Sequence, residues 1–184
     1  MSNPIAPQMD LDEGNYAHCQ VSEYLPIAPD RFFDWYISEP IENFMLGTLI
    51  VPPITGTRVL TEGPFGGAGS ARHISFKDGT IAYEKVISTD YPRAYSYQPY
   101  AYNNPVRLLS DYAKATMSVQ PEGDGARVVW DYAFHARNKM ALPAVKLFVK
   151  LDWARNLSNG LKIIRAHLEQ HGVSRRIDEV RKAA

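Results

Sequence analysis

Two charged residues on neighbouring strand-like runs are where this sequence could do chemistry. Arg72 lies in Ala71–Phe76 and shares a strand face with Ile74 and Phe76; Glu84 lies in Ile81–Thr89, with Ala82 and Val86 on its face. The runs are joined by Asp78-Gly79, a turn signal that allows two registers. A two-residue turn sets Arg72 opposite Lys85. A three-residue turn with Gly79 left-handed sets Arg72 opposite Glu84 and sends Lys85 outward. Unlike charges in a cross-strand pair favour the second by roughly 0.2–1 kcal/mol, and like charges are penalised. The second register is therefore expected. An arginine on an inner wall can anchor a carboxylate or enolate oxygen, and a carboxylate beside it can orient it or act as a base. The same pair can equally be a structural ion pair under a helix.

Aromatic groups with polar tips come next. Tyr97, Tyr112, Trp130 and Tyr132 could line a pocket or simply fill a core. Arg72, Glu84 and Tyr97 are the candidates for catalysis. The candidate ligand wall is Arg72, Ile74, Glu84, Val86, Tyr97, Ala113, Ala115, Met117, Trp130, Tyr132 and Phe148. Ala113 and Ala115 remove volume from an apolar strand face; that permits a cavity, and it permits close helix packing equally well. Other chemical groups read as structural. Cys19 shares a face with Val21 and Leu25, the pattern of a small buried thiol. His167 and His171 have the i, i+4 spacing of metal ligands but no evident third ligand, so no metal is expected. His73 and His135 fall on outward faces and read as solvent-exposed. Gly63–Gly69 lacks the Lys and the following helix of a phosphate loop and reads as a mobile lip.

The elements that must position these residues follow a definite order. A strand (Cys19–Leu25) leads to Pro29 and an aromatic helix with Phe32, Phe33 and Trp35; Ser38-Glu39-Pro40 opens a second short helix through Met45. Leu46–Pro53 is unusually apolar for a connection. Strand patterns follow over Arg58–Glu62, Ala71–Phe76, Ile81–Thr89, Ala94–Gln98, Tyr112–Gln120 and Arg127–Ala136, at hairpin spacing and therefore antiparallel. A single helix over Leu142–His171 closes the order, with apolar residues Leu147, Phe148, Leu151, Leu157, Leu161, Ile164 and Leu168. Its ~30 residues span roughly 40 Å, enough to cross a sheet. Gly160 inside it suggests close packing or a slight bend. On Arg127–Ala136 the face Val128, Trp130, Tyr132, Phe134 points to the core.

Bulk properties narrow the class. The 184 residues fit one domain, with tails expected at 1–14 and 173–184 around a domain at 15–172. Apolar residues are 45% and charged residues 22%, the balance of a globular chain. Acidic and basic residues number 20 each, so the overall charge gives nucleic acid no hold. No secretory leader or membrane-spanning run is evident, and one cysteine fits a reducing compartment, so a cytoplasmic location is expected. No motif asks for a cofactor.

Taken together, Ile27-Ala28-Pro29, Phe33-Asp34-Trp35, Gly63-Pro64-Phe65-Gly66, Gly69-x-x-Arg72, Asp78-Gly79, Glu84, Tyr97, Pro105-Val106, Tyr112-Ala113, Val128-x-Trp130 and the long helix resemble the SRPBCC superfamily. This is the START/Bet v1-like helix-grip group, and the likeness is closest to its polyketide cyclase/dehydrase-like branch. The resemblance covers Cys19–Gly172. It implies an α+β fold in which a curved antiparallel sheet of about seven strands grips the C-terminal helix around an apolar pocket. It also implies a small hydrophobic ligand, lipid-, sterol- or polyketide-like, held by a carrier or sensor. Two alternatives stand beside that reading. One is a cyclase or dehydratase-like enzyme using Arg72, Glu84 and a pocket tyrosine. The other is a regulator whose Leu46–Pro53 face docks a protein partner; a homodimer is also allowed.

Overall fold

The computed structural model of the protein describes residues 14–172, so the expected tails fall, Gly14 apart, outside the described residues. The seven strands are β1 (Tyr16–Leu25), β2 (Ile54–Val59), β3 (Ala71–Phe76), β4 (Ile81–Asp90), β5 (Ala94–Tyr100), β6 (Ser110–Glu122) and β7 (Gly125–Ala136). They form one antiparallel sheet in the order β1-β7-β6-β5-β4-β3-β2. The first strand thus crosses to the far edge and pairs with the last, while the others are consecutive hairpins. β2 begins earlier than the pattern Arg58–Glu62 suggests, because its pairing with β3 starts at Ile54 opposite Phe76.

The β3–β4 turn has the three-residue form. Gly79 adopts φ +82°, where a side chain would be strained, and Asp78 Oδ1 accepts hydrogen bonds from the Thr80 N–H at 2.9 Å and the Thr80 hydroxyl at 2.6 Å. Arg72 consequently stands opposite Glu84, and Lys85 opposite Ala71, exposed.

α1 (Pro29–Ser38) opens with proline, whose missing N–H costs nothing in a first turn. Its buried residues are Phe32, Phe33, Trp35 and Tyr36, and a short 3-10 turn over Ile41–Asn43 takes the place of the second helix. A further 3-10 turn, Pro105–Leu108, separates β5 from β6.

The C-terminal helix differs most from expectation. α2 (Leu142–Phe148) runs into a π turn at Val149–Trp153, which runs into α3 (Ala154–His171). The wide turn carries one extra residue, so the buried face of the first half no longer follows the ridge set by Leu157, Leu161, Ile164 and Leu168. Phe148, Val149 and Asp152 turn inward. Leu147 and Leu151, expected inside, are each 57% exposed. Gly160 is a close-approach position, since a Cβ there would lie 3.3 Å from Met45 Sδ and 3.8 Å from the Trp130 ring.

Candidate functional site

Between the inner face of the sheet and the C-terminal helix lies a cavity of about 70 Å³. The sheet supplies Ile74, Ala82, Glu84, Tyr97, Trp130 and Tyr132, and the helix supplies Phe148 and Trp153. The loops add Met45, Val51, Tyr102 and Val106. Aromatic rings dominate this wall. Trp153 lies tilted against Tyr132 at 4.7 Å and meets Phe134 edge-on at 5.1 Å. Such contacts fix ring positions around a space that no protein side chain fills.

The polar groups of the wall are few, and most are committed. Trp130 Nε1 donates to the Tyr97 hydroxyl at 2.8 Å, which leaves the Tyr97 proton free for another acceptor. The Tyr102 hydroxyl donates to the Pro99 carbonyl at 3.2 Å. Trp153 Nε1 is a buried donor with no acceptor. Glu84 is the ionisable carboxylate of the wall. Its Oε1 receives Arg72 at 2.9 Å and, weakly, the Tyr95 hydroxyl at 3.5 Å.

Arg72 itself does not line the cavity. Its guanidinium sits behind Glu84 with its carbon 4.2 Å above the Phe65 ring, and its Nε is buried without a partner. The side chains of Arg72 and Glu84 are 12% and 4% exposed. Burial pushes the Glu84 carboxyl above its ordinary value, with Arg72 pulling the other way. Burial works against the Arg72 charge too, but Glu84 and the surrounding tyrosine hydroxyls outweigh it and hold its pKa up. Burial lifts the Tyr97 and Tyr132 hydroxyls well above the ordinary tyrosine value, so both act as neutral O–H groups.

Of the wall residues named from sequence, Ile74, Glu84, Tyr97, Trp130, Tyr132 and Phe148 meet at the cavity. Arg72, Val86, Ala113, Ala115 and Met117 do not. Val86, Ala113, Ala115 and Met117 point to the same side of the sheet but lie where side chains close over it, each at most 2% exposed. The two alanines therefore mark close packing. Met117 belongs to β6, against which α1 packs. Tyr112 is on the outer face: its hydroxyl bonds that of Tyr16 at 2.8 Å and its ring stacks on His135 at 4.8 Å. His135 is accordingly half-buried between rings, and His73, also half-buried, lies edge-on to Tyr83. The sequence reading missed Trp153, whose inward turn depends on the π segment. It also missed Tyr102, Met45 and Val51, although the apolar run Leu46–Pro53 was a usable signal.

Cys19 is half-buried, and burial together with the nearby Asp131 charge pushes its thiol up to about 12. His167 and His171 lie 4.8 Å apart ring to ring, with His167 against Trp35. Among the described residues no group of three or more His, Cys, Asp or Glu is placed to hold a metal ion. No helix among them is long and apolar enough to cross a membrane.

Comparison with known proteins agrees with this architecture. Residues 48–169 match the family model described as polyketide cyclase / dehydrase and lipid transport. Among solved structures, ginseng major latex-like protein 151 from Panax ginseng superposes with a TM-score of 0.63 at 18% identity, covering 84% of this chain and 98% of its own. Ara h 8.0201 superposes with a TM-score of 0.58 at 14% identity, covering 84% and 99%. No curated protein matches the sequence. The neighbours carry the Bet v1-like fold that the resemblance implied, and the family match spans more than half of the sequence, from the loop before β2 to the last turns of α3. The chain belongs to the polyketide cyclase / dehydrase and lipid transport family of the SRPBCC superfamily.

Proposed function

We propose that this protein binds a small hydrophobic or aromatic molecule in the cavity, as a carrier or sensor. The observation that supports this best is an apolar, aromatic-rich wall interrupted by one carboxylate whose counter-ion stands behind it. Arg72 neutralises Glu84 overall, so a cationic ligand is not required. Of the pair only Glu84 reaches the wall, so the charged group an acidic ligand end would meet there is a carboxylate, which repels it. The favoured ligand is therefore neutral, with a ring system or short chain and a hydroxyl or N–H that donates to Glu84. This reverses the expectation that Arg72 takes an acidic or carbonyl group. Trp130 and Trp153 on the wall are built-in fluorescent reporters. Titration with naphthol is expected to quench them with saturation, and naphthoate of the same ring size is expected to bind at least tenfold more weakly. Absence of saturable quenching by either, or tighter binding of naphthoate, refutes the reading.

A second reading, a cyclase or dehydratase-like catalyst, is favoured by one specific fact. A carboxyl raised by burial shares the cavity wall with a neutral tyrosine hydroxyl, Tyr97, and a carboxyl so placed can take and return a proton. On that reading Glu84→Gln abolishes turnover of a polyketide-like substrate while naphthol binding persists.

A further inference from the structure

We propose that the rim of the cavity is a docking face for an anionic lipid bilayer. Three separate stretches of chain reach the cavity with an inner residue and carry an exposed apolar residue just beside it. In the loop 46–53, Val51 lines the cavity while Leu49 is 98% exposed and Ile50 and Leu46 are each 56% exposed. In the 3-10 turn Pro105–Leu108, Val106 lines the cavity while Leu108 is 67% exposed. In α2 and the π turn, Phe148 and Trp153 line it while Leu147 and Leu151 are each 57% exposed, and Met140 just before α2 is 91% exposed. The first and third stretches are tied together: Asp152 of the π turn accepts the Thr48 hydroxyl at 2.5 Å and the Ile50 N–H at 3.4 Å. So many large apolar side chains around one opening are unusual on a surface that meets only water.

The charges among them share one sign. Arg107 precedes Leu108; Lys139 precedes Met140; Lys146 and Lys150 precede Leu147 and Leu151; all four cations are exposed. From Lys139 to Arg155 the one acidic residue is Asp152, which is buried and committed to the loop. In a chain with no net charge, this is a local concentration of cations interleaved with leucines. That combination suits the headgroup boundary of an anionic bilayer, where apolar side chains enter the acyl region and lysines meet lipid phosphates. Self-association through the same face fits less well, because a two-fold contact would bring its lysines toward one another. Docked this way, the mouth faces the bilayer and an apolar ligand could pass between membrane and cavity without crossing water. The docking itself does not depend on which ligand the cavity takes.

Flotation of the full chain with vesicles tests this. Vesicles of phosphatidylcholine mixed with phosphatidylglycerol are expected to carry the protein up the gradient, and vesicles of phosphatidylcholine alone are not. Each lysine near such a surface is worth about fivefold in partition, so the double variant Lys146→Ala/Lys150→Ala should partition roughly twentyfold more weakly. Leu49→Ser/Ile50→Ser should lose flotation as well. All four positions are exposed, so thermal melts of the variants should match the parent, and naphthol quenching serves as a separate readout of the cavity. Lack of flotation by the parent overturns the proposal, as do variants that float like the parent. A dimer on size exclusion that Leu49→Ser abolishes, with no flotation, assigns the face to self-association and overturns it too. Loss of naphthol binding with flotation intact counts against the ligand reading alone.

Discussion

Replacing Glu84 by Gln is the sharpest perturbation of this structure. It removes the partner of Arg72 at 2.9 Å while keeping side-chain shape, in a place where the two side chains are 4% and 12% exposed. Little water can reach the orphaned guanidinium, whose Nε is already without a partner. Breaking a buried pair from one side costs about 3–5 kcal/mol. For a domain of this size each kcal/mol moves Tm by about 2–4 °C, so Glu84→Gln should lower Tm by roughly 6–20 °C. Arg72→Met alone should cost somewhat less, because the Met fills part of the space over Phe65 and the remaining carboxyl, already raised by burial, can take up a proton. The double variant should recover most of the loss, since it leaves no uncompensated charge buried. Urea unfolding of the four proteins at neutral pH gives the coupling energy, expected at about 2 kcal/mol or more. Single costs below about 1 kcal/mol with no coupling would show that water solvates the pair and that burial is not what shapes this wall. Naphthol affinity of Arg72→Met adds a functional readout. It should stay within about twofold of the parent because the guanidinium is behind the wall; a loss of roughly 1.5–3 kcal/mol, the scale of a charged hydrogen bond, would place Arg72 in contact with the ligand.

Three further outcomes are expected. Trp130→Ala should cost about 3–5 kcal/mol in urea unfolding, since the ring is 2% exposed, bonded to Tyr97 and packed at Gly160; a loss under about 1 kcal/mol would contradict the packing. Burial raises the hydroxyls of Tyr95, Tyr97 and Tyr132 well above the ordinary 10.0. Their folded-state pKa values exceed the unfolded ones, so their stabilisation is complete below pH 10 and is lost as the pH rises beyond it, and tyrosinate absorbance from these three should appear only together with unfolding. Cys19, with its thiol raised to about 12, should resist iodoacetamide at pH 8 in the native protein and react fully in denaturant; native alkylation at the rate of a free thiol would show that the thiol is not shielded.

The parts of the fold legible in the sequence are those where local chemistry leaves few choices. Asp78-Gly79 with Arg72, Glu84 and Lys85 sets a register because only one turn length pairs unlike charges, and that register is the one observed. The alternation Val128, Trp130, Tyr132, Phe134 names an inner face because a strand has only two. A face is not a cavity, however. Val86, Ala113, Ala115 and Met117 share the inner side with Tyr97 and Trp130, and only the three-dimensional course of α1 and the C-terminal helix decides which positions are covered by side chains and which by empty space. Arg72 shows the same limit at finer scale. Pairing with Glu84 was readable, but which of the two stands in front was not. The outward histidines were misjudged for a related reason: His135 is shielded by Tyr16 and Tyr112, residues on neighbouring strands whose rings lean over it.

The π turn is where a regular period misleads most, and it makes the last prediction. Leu147, Leu151 and Leu157 fit an uninterrupted helical ridge, so nothing in their spacing signals an extra residue. What signals it in retrospect is the adjacent pair Phe148-Val149 followed by Asp152-Trp153, an inward-facing set one position out of step with Leu157 and Leu161. Single π turns are an uncommon and strained use of a helix, retained where they aim side chains at a site. Here the turn does three things at once. It brings Phe148 and Trp153 to the cavity, buries Asp152 where it can hold Thr48 and Ile50, and leaves Leu147 and Leu151 outside. Deleting the exposed Lys150 would let the segment close as ordinary α-helix. Both halves would keep their buried faces, while α2 would slide about 1.5 Å, one residue's rise, toward α3. Asp152 and the loop would then be out of register, and Phe148 would be displaced along the cavity wall. The expected result is a folded protein of unchanged far-ultraviolet circular dichroism whose naphthol binding falls at least tenfold. A deletion variant that binds naphthol like the parent would mean that the wall tolerates either helix form, and the π turn would have no part in shaping the cavity.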